Sequence, residues 1–140
     1  MVVSPHNILG GFFIYNEDYF NGVLEIPRVK VNNSYKHIGR FYYSFNKKSR
    51  MMEPTIEMSR CYDFTDDQFQ DILVHEMIHY YIAWARIKDN GHHGDEFMRM
   101  ADEFNKKYKL NITPTIDMSS YMLSEGKSLF MYKLRMMMPF

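Results

Sequence analysis

Residues 72–84 read ILVHEMIHYYIAW, with His75 and His79 four residues apart and Glu76 directly after the first. On a helix this spacing puts both imidazoles on one face, a single turn apart. Both rings can then reach one ion at about 2.0–2.1 Å from each nitrogen. Glu76 falls on the flank of that face, where a carboxylate can take a proton from a metal-bound water without ligating the metal. The other residues of the segment bury it. Leu73, Met77, Tyr80 and Trp84 form a stripe on the opposite side, and Ile72, Ile78 and Ile82 flank the histidines. A helix apolar nearly all round is a central helix, and ionisable side chains inside one are costly without partners. A metal at the floor of a cleft would supply those partners. The competing reading gives the histidines hydrogen bonds to core groups and Glu76 an ion pair.

The start of this helix is well marked. Thr65 is the expected N-cap and Gln68, three residues on, completes a capping box. Phe64 and Phe69 are placed as a hydrophobic staple, and Asp66 and Asp67 suit the positive end of the helix dipole. The helix is expected from about Asp66 to Ile87. Upstream, Ser4 as N-cap, Pro5 at the first helical position and the spacing of Ile8, Phe12, Tyr15 and Tyr19 predict a helix that Gly22 can stop. Between these helices, VLEIPRVKVNN, HIGRFYYSF and PTIEMSR read as three short strands, with NKKSR as the turn before the third. In the second strand Phe41, Tyr43 and Phe45 alternate with Arg40, Tyr42 and Ser44, one apolar face and one polar. Downstream, GHHG is a loop, and DEFMRMADEFNKKYK is a helix with Phe97, Ala101, Phe104 and Tyr108 as its apolar stripe. The fold class is α+β: a small antiparallel three-stranded sheet, or a larger one, packed on a central helix with flanking helices. The 140 residues form one domain with a core of about residues 4–110. Residues 111–140 are a tail that can add a strand or a short helix, and FMYKLRMMMPF is apolar enough to dock on the body.

A catalytic zinc site needs a third protein ligand and one open position. The downstream candidates are His92, His93, Glu96 and Glu103. If the stripe from Phe97 to Tyr108 packs on the central helix, residue 93 falls in line with it and faces the metal, while His92 points elsewhere.

Together HEMIHYYI and GHHGDEF resemble the SprT-like zinc metallopeptidases, with their Spartan-like protease domain. His93-Gly94-x-x-Phe97 is similar to the family's H-G-x-x-F, which selects His93 over His92. YFNGVLEIPRVKVN, Gly39 and TIEMS are similar to its upstream segments, so the resemblance covers about residues 8–108. It implies a gluzincin-like minimal metalloprotease fold, one Zn²⁺ on His75, His79 and His93, and Glu76 as general base. The implied activity is zinc-dependent endopeptidase hydrolysis through a metal-activated water, acting on DNA-bound or crosslinked proteins. It also implies that the strand around Ile56, Glu57, Met58 and Ser59 binds an extended peptide by edge pairing. No counterpart of the C-terminal zinc ribbon of paired cysteines carried by many members is expected in these 140 residues, whose single cysteine is Cys61.

Charge adds a second theme. The formal net charge is zero, yet from Ile26 to Met52 there is no acid, and Arg28, Lys30, Lys36, Arg40, Lys47, Lys48 and Arg50 are all basic. Basic side chains beside aromatic rings suit single-stranded nucleic acid, and Lys47, Lys48, Arg50 and Tyr42 are the residues placed to contact it. The bland alternative makes Phe41, Tyr43 and Phe45 core and the cations the wet face of edge strands. A metal-stabilised module that binds nucleic acid or protein without cleaving it is the rival function. A single cysteine fits a reducing compartment, and no stretch is long and apolar enough to span a membrane. The expectation is a soluble, cytoplasmic monomer whose partners are a protein or peptide substrate and single-stranded DNA.

Overall fold

The computed structural model describes residues 1–124 and the short strand 137–139. Helix α1 (Pro5–Phe20) begins at a capping box: the Ser4 hydroxyl accepts the Asn7 amide and the Asn7 side chain accepts the Ser4 amide. Asn21, with φ 55°, and Gly22 turn the chain out of the helix. Strands β1 (Arg28–Asn32), β2 (Gly39–Asn46) and β3 (Met51–Ser59) follow and form one sheet in the order β1-β3-β2.

This sheet is mixed, not antiparallel. β2 and β3 are a hairpin in which Phe41 faces Ile56, whereas β1 runs parallel to β3, with Val29 opposite Ile56. The reason lies in the connection from Asn32 to Gly39, which crosses the end of β3 and reverses the chain. The hairpin then reverses it again, so β3 enters the gap between the first two strands in the direction of β1. The expected peptide-binding edge at Ile56–Ser59 is therefore lost, because β3 is hydrogen-bonded along both sides. Ile56 and Met58 are fully buried, Glu57 accepts from Asn32 Nδ2 and Tyr42 Oη, and the Ser59 hydroxyl donates to the Ser34 carbonyl.

A short strand β4 (Tyr62–Asp63) leads into helix α2 (Asp66–Trp84). The Thr65–Gln68 capping box forms as the sequence requires. The helix stops three residues before Ile87, because Arg86 adopts a left-handed φ of 55°. Helix α3 (Asp95–Tyr108) ends at Lys109, also left-handed. The tail adds β5 (Thr115–Asp117), a 3₁₀ turn (Met118–Ser120), β6 (Met122–Leu123), which pairs with β4, and β7 (Met137–Pro139), which pairs with β5. Of the apolar segment FMYKLRMMMPF, residues 130–136 and 140 lie outside the described residues. No helix among the described residues is long and apolar enough to cross a membrane.

Helix α2 is central. Ile72, Leu73, Val74, Met77, Ile78 and Tyr80 are buried on it, and each such side chain removed from water contributes roughly 1.5–3 kcal/mol. Tyr80 is the pivot: its ring stacks on Phe12 of α1 at 6.4 Å and on Phe41 of β2 at 5.2 Å. That stack fixes β2 against the helix. The aromatic face of β2 is only partly core, since Tyr43 and Phe45 are 48% and 57% exposed.

A candidate metal centre between the central helix and the HHG loop

His75 and His79 lie one turn apart on α2, and His93 precedes the first turn of α3. Their Nε2 atoms converge: 3.2 Å separates His75 from His79, and 3.2 Å separates His75 from His93. Four ligands at about 2.05 Å around a tetrahedral zinc lie roughly 3.3 Å apart, so His75 stands at the spacing of tetrahedral ligands from each of the other two. One ligand atom from each lies within 4.8 Å of the others. Hydrogen bonding gives a poorer account, because one imidazole N–H serves one acceptor well and here three rings point at one place. The donor set, three imidazoles with no thiolate, is the borderline-soft set that zinc takes. The residues present therefore fit the ion.

Protonation states agree with this reading. Burial, followed by the neighbouring His92 and His93, lowers the His79 pKa from its ordinary value to about 3, so His79 stays neutral with a lone pair to donate. Phe97 forms a common wall, with ring centroids 4.8, 4.5 and 4.9 Å from His75, His79 and His93. It lies in the first turn of α3, just beyond the loop that carries His93. Spacing alone marked it only as core.

Glu76 is 1% exposed, and its Oε2 lies 3.9 Å from His75 Nε2. Burial raises its carboxyl pKa to about 8, against smaller opposing pulls from the Phe41 backbone N–H and from Arg40. That N–H donates to the carboxylate, and Oε2 has no hydrogen-bond partner among the described residues. The strand can come this close because residue 39 is glycine. A Cβ there would stand 2.8 Å from Ile72 Cγ2 and 3.1 Å from Glu76 Oε2.

The loop before α3 is built around Asp89 and Asn90. Asp89 accepts the amides of Asn90, Glu96 and Phe97, and Asn90 Oδ1 accepts the amide of Asp95. These bonds cap α3 from outside the helix, where the N-cap residue Gly94 has no side chain to do so. They also explain the glycine, since a Cβ on Gly94 would lie 2.2 Å from Asp89 Oδ1 and 2.3 Å from Asn90 Oδ1. His92 does not point elsewhere. Its ring stacks on His79 at 4.3 Å and lines a cavity of about 280 Å³ over Glu76, which Lys36, His37, Arg40 and Tyr42 complete.

The nucleic-acid candidates divide. Lys47, Lys48 and Arg50 are exposed at the β2–β3 turn. Tyr42 points to the other face of β2, half-buried, with its hydroxyl on Glu57 and Arg40 over its ring at 5.2 Å.

Comparison with curated proteins finds no match. The model of the SprT-like family matches residues 11–117, a span that includes both histidine motifs and the sheet beside them. The chain belongs to the SprT-like family.

Proposed function

We propose that the chain is a zinc-dependent endopeptidase with a gluzincin-like minimal fold. The observation that carries this is the convergence of three Nε2 atoms beside a buried, unligated carboxylate. His75, His79 and His93 would hold the metal. When bound, zinc supplies Lewis acidity for the scissile carbonyl and makes water a nucleophile near neutral pH. Glu76 takes a proton from the attacking water and returns it to the departing amine. The Phe41 N–H fixes the carboxylate for both transfers, and Phe97 keeps the ligand side of the cleft dry. The Phe41 amide beside Glu76 and the edge position of β2 support an extended peptide along β2 in place of β3.

The test is Glu76→Gln. The variant keeps its zinc and its fold and loses peptide hydrolysis by about a hundredfold or more. Full turnover by this variant would remove the mechanism.

A second reading has one observation in its favour: Tyr43 and Phe45 are exposed beside Lys47, Lys48 and Arg50, an aromatic and cationic surface on the hairpin. It makes the chain a metal-stabilised module for single-stranded DNA. In that case DNA binding weakens steeply with salt and is untouched by Glu76→Gln. Salt-independent or undetectable binding would discard it.

A further inference from the structure

The mouth of the cleft over Glu76 carries a charge that the overall balance hides. Lys36 and Arg40 line it together with His37 and His92, and Glu76 is the acid among the lining residues. The two cations are not equivalent. Arg40 is partly answered by Glu57, 3.6 Å away, whose oxygens also accept from Asn32 and Tyr42. Lys36 is exposed and has no ion pair among the described residues.

The segment that presents Lys36 is firmly held. The Ser34 hydroxyl accepts the amides of Lys36 and His37, at 3.1 and 3.0 Å, and the Ser34 amide donates to Asn32 Oδ1. Asn32 Nδ2 reaches the His37 carbonyl at 3.2 Å. Tethers come from outside: the Ser59 hydroxyl on the Ser34 carbonyl, the Tyr62 hydroxyl on the Tyr35 carbonyl, Arg60 Nε on Asn33 Oδ1 and the Ser59 amide on the Ile38 carbonyl. These bonds hold the connection along its whole length. A cation held ready at a cleft binds an anion at less entropic cost than one on a mobile loop.

We propose that residues 33–38 form a substrate-recognition loop in which Lys36, supported by Arg40, selects peptides with a carboxylate beside the scissile bond. This rests on the peptidase reading for its catalytic meaning but not for its binding. Lys36 acts as a specificity residue at the rim, and His37 adds a ring nitrogen to the same anion site. The contact is at the surface, so its discrimination is modest and falls as salt contracts the screening length.

The test uses zinc-loaded Glu76→Gln protein and three dye-labelled extended peptides, identical except for Glu, Gln or Lys at their central positions. Binding is read by anisotropy at low and at physiological salt, and wild-type protein is assayed in parallel for cleavage. The expected order is Glu, then Gln, then Lys, with about three- to tenfold between the ends at low salt. Adding Lys36→Glu reverses the order while zinc content and thermal midpoint stay unchanged. Equal binding of the three peptides, or an order unmoved by Lys36→Glu, overturns the assignment. Acid-preferring binding without any wild-type cleavage keeps the loop's role and removes the peptidase. Cleavage without charge preference does the reverse, and no binding at all removes both. A labelled single-stranded oligonucleotide separates the other anion source. If Lys36→Glu abolishes oligonucleotide binding and leaves the peptide order intact, the loop reads phosphate and the peptide assignment falls.

Discussion

Glu76 has an ordinary carboxyl group in an extraordinary place. Folding pushes its pKa from 4.5 to about 8, chiefly by burial, so the folded chain holds this proton more tightly than the unfolded chain. The linked stability is fully present below about pH 4.5 and is lost as pH rises through 8. His79 works in the opposite sense. Its pKa falls toward 3, so its contribution is present above about pH 6.5 and lost as pH drops. Glu76→Gln removes only the first effect. In metal-free protein the variant's thermal midpoint therefore exceeds that of wild type, by an increasing margin from pH 5 to pH 8. A constant margin in calorimetry would show that the carboxyl group is not desolvated. At this scale the histidine pair was legible, because an i, i+4 spacing is a local geometric fact about helices. The Phe41 amide was not, since nothing local to PTIEMSR or HIGRFYYSF says which backbone donor meets the carboxylate. Nor was the stacking of His92 on His79, because two adjacent loop histidines can both face one cleft when the loop turns sharply.

Among the elements, the Asp89–Asn90 bracket shapes the turn that carries His93. Slight burial nudges the Asp89 carboxyl upward, but the amides of Phe97, Glu96 and Asn90 hold it below its usual value. Losing a cap of this kind costs about 1–2 kcal/mol, and here the first turn of α3 carries the third ligand on its threshold. Asp89→Ala should lower the thermal midpoint modestly and weaken zinc affinity in a chelator competition. Gly94→Ala should do the same, through a Cβ that collides with the bracket. Unchanged affinity in both would mean that His93 is held by other contacts. Helix boundaries and caps were largely readable: Ser4 and Thr65 act as the N-caps expected of them. The end of α2 was not, because Arg86 turns left-handed without the glycine that usually announces it. Strand existence was readable and sheet order was not. The insertion of β3 between β1 and β2 depends on where a short loop crosses, and alternation along a strand carries no such information.

For the molecule as a whole, the ion would join helix α2 to the loop that leads into α3. The α2 helix, the loop at 89–94 and α3 share the wall made by Phe97, and β2 closes the cleft through Phe41 and Gly39. An ion that binds only the folded chain stabilises it by about 4 kcal/mol at a thousandfold excess over its dissociation constant. Zinc should accordingly raise the thermal midpoint of stripped protein by several degrees, and His93→Ala should abolish most of that gain. A midpoint indifferent to zinc would argue that the three histidines are packing residues. The overall architecture was legible as α+β around a buried histidine helix because that helix is apolar on nearly every face. The tail was legible only as a strand or a short helix, and the pairing of its short strands was not, since two- and three-residue strands leave no period to read.

The central claim is that His75, His79 and His93 hold one metal ion, and elemental analysis of the purified protein tests it without any assumption about substrate. Wild type should carry about one zinc per chain, as the three-histidine site requires, and His92→Ala and Glu76→Gln should retain it while His93→Ala loses it. Wild type that is empty and cannot be loaded, or His93→Ala with a full complement of zinc, would contradict the account.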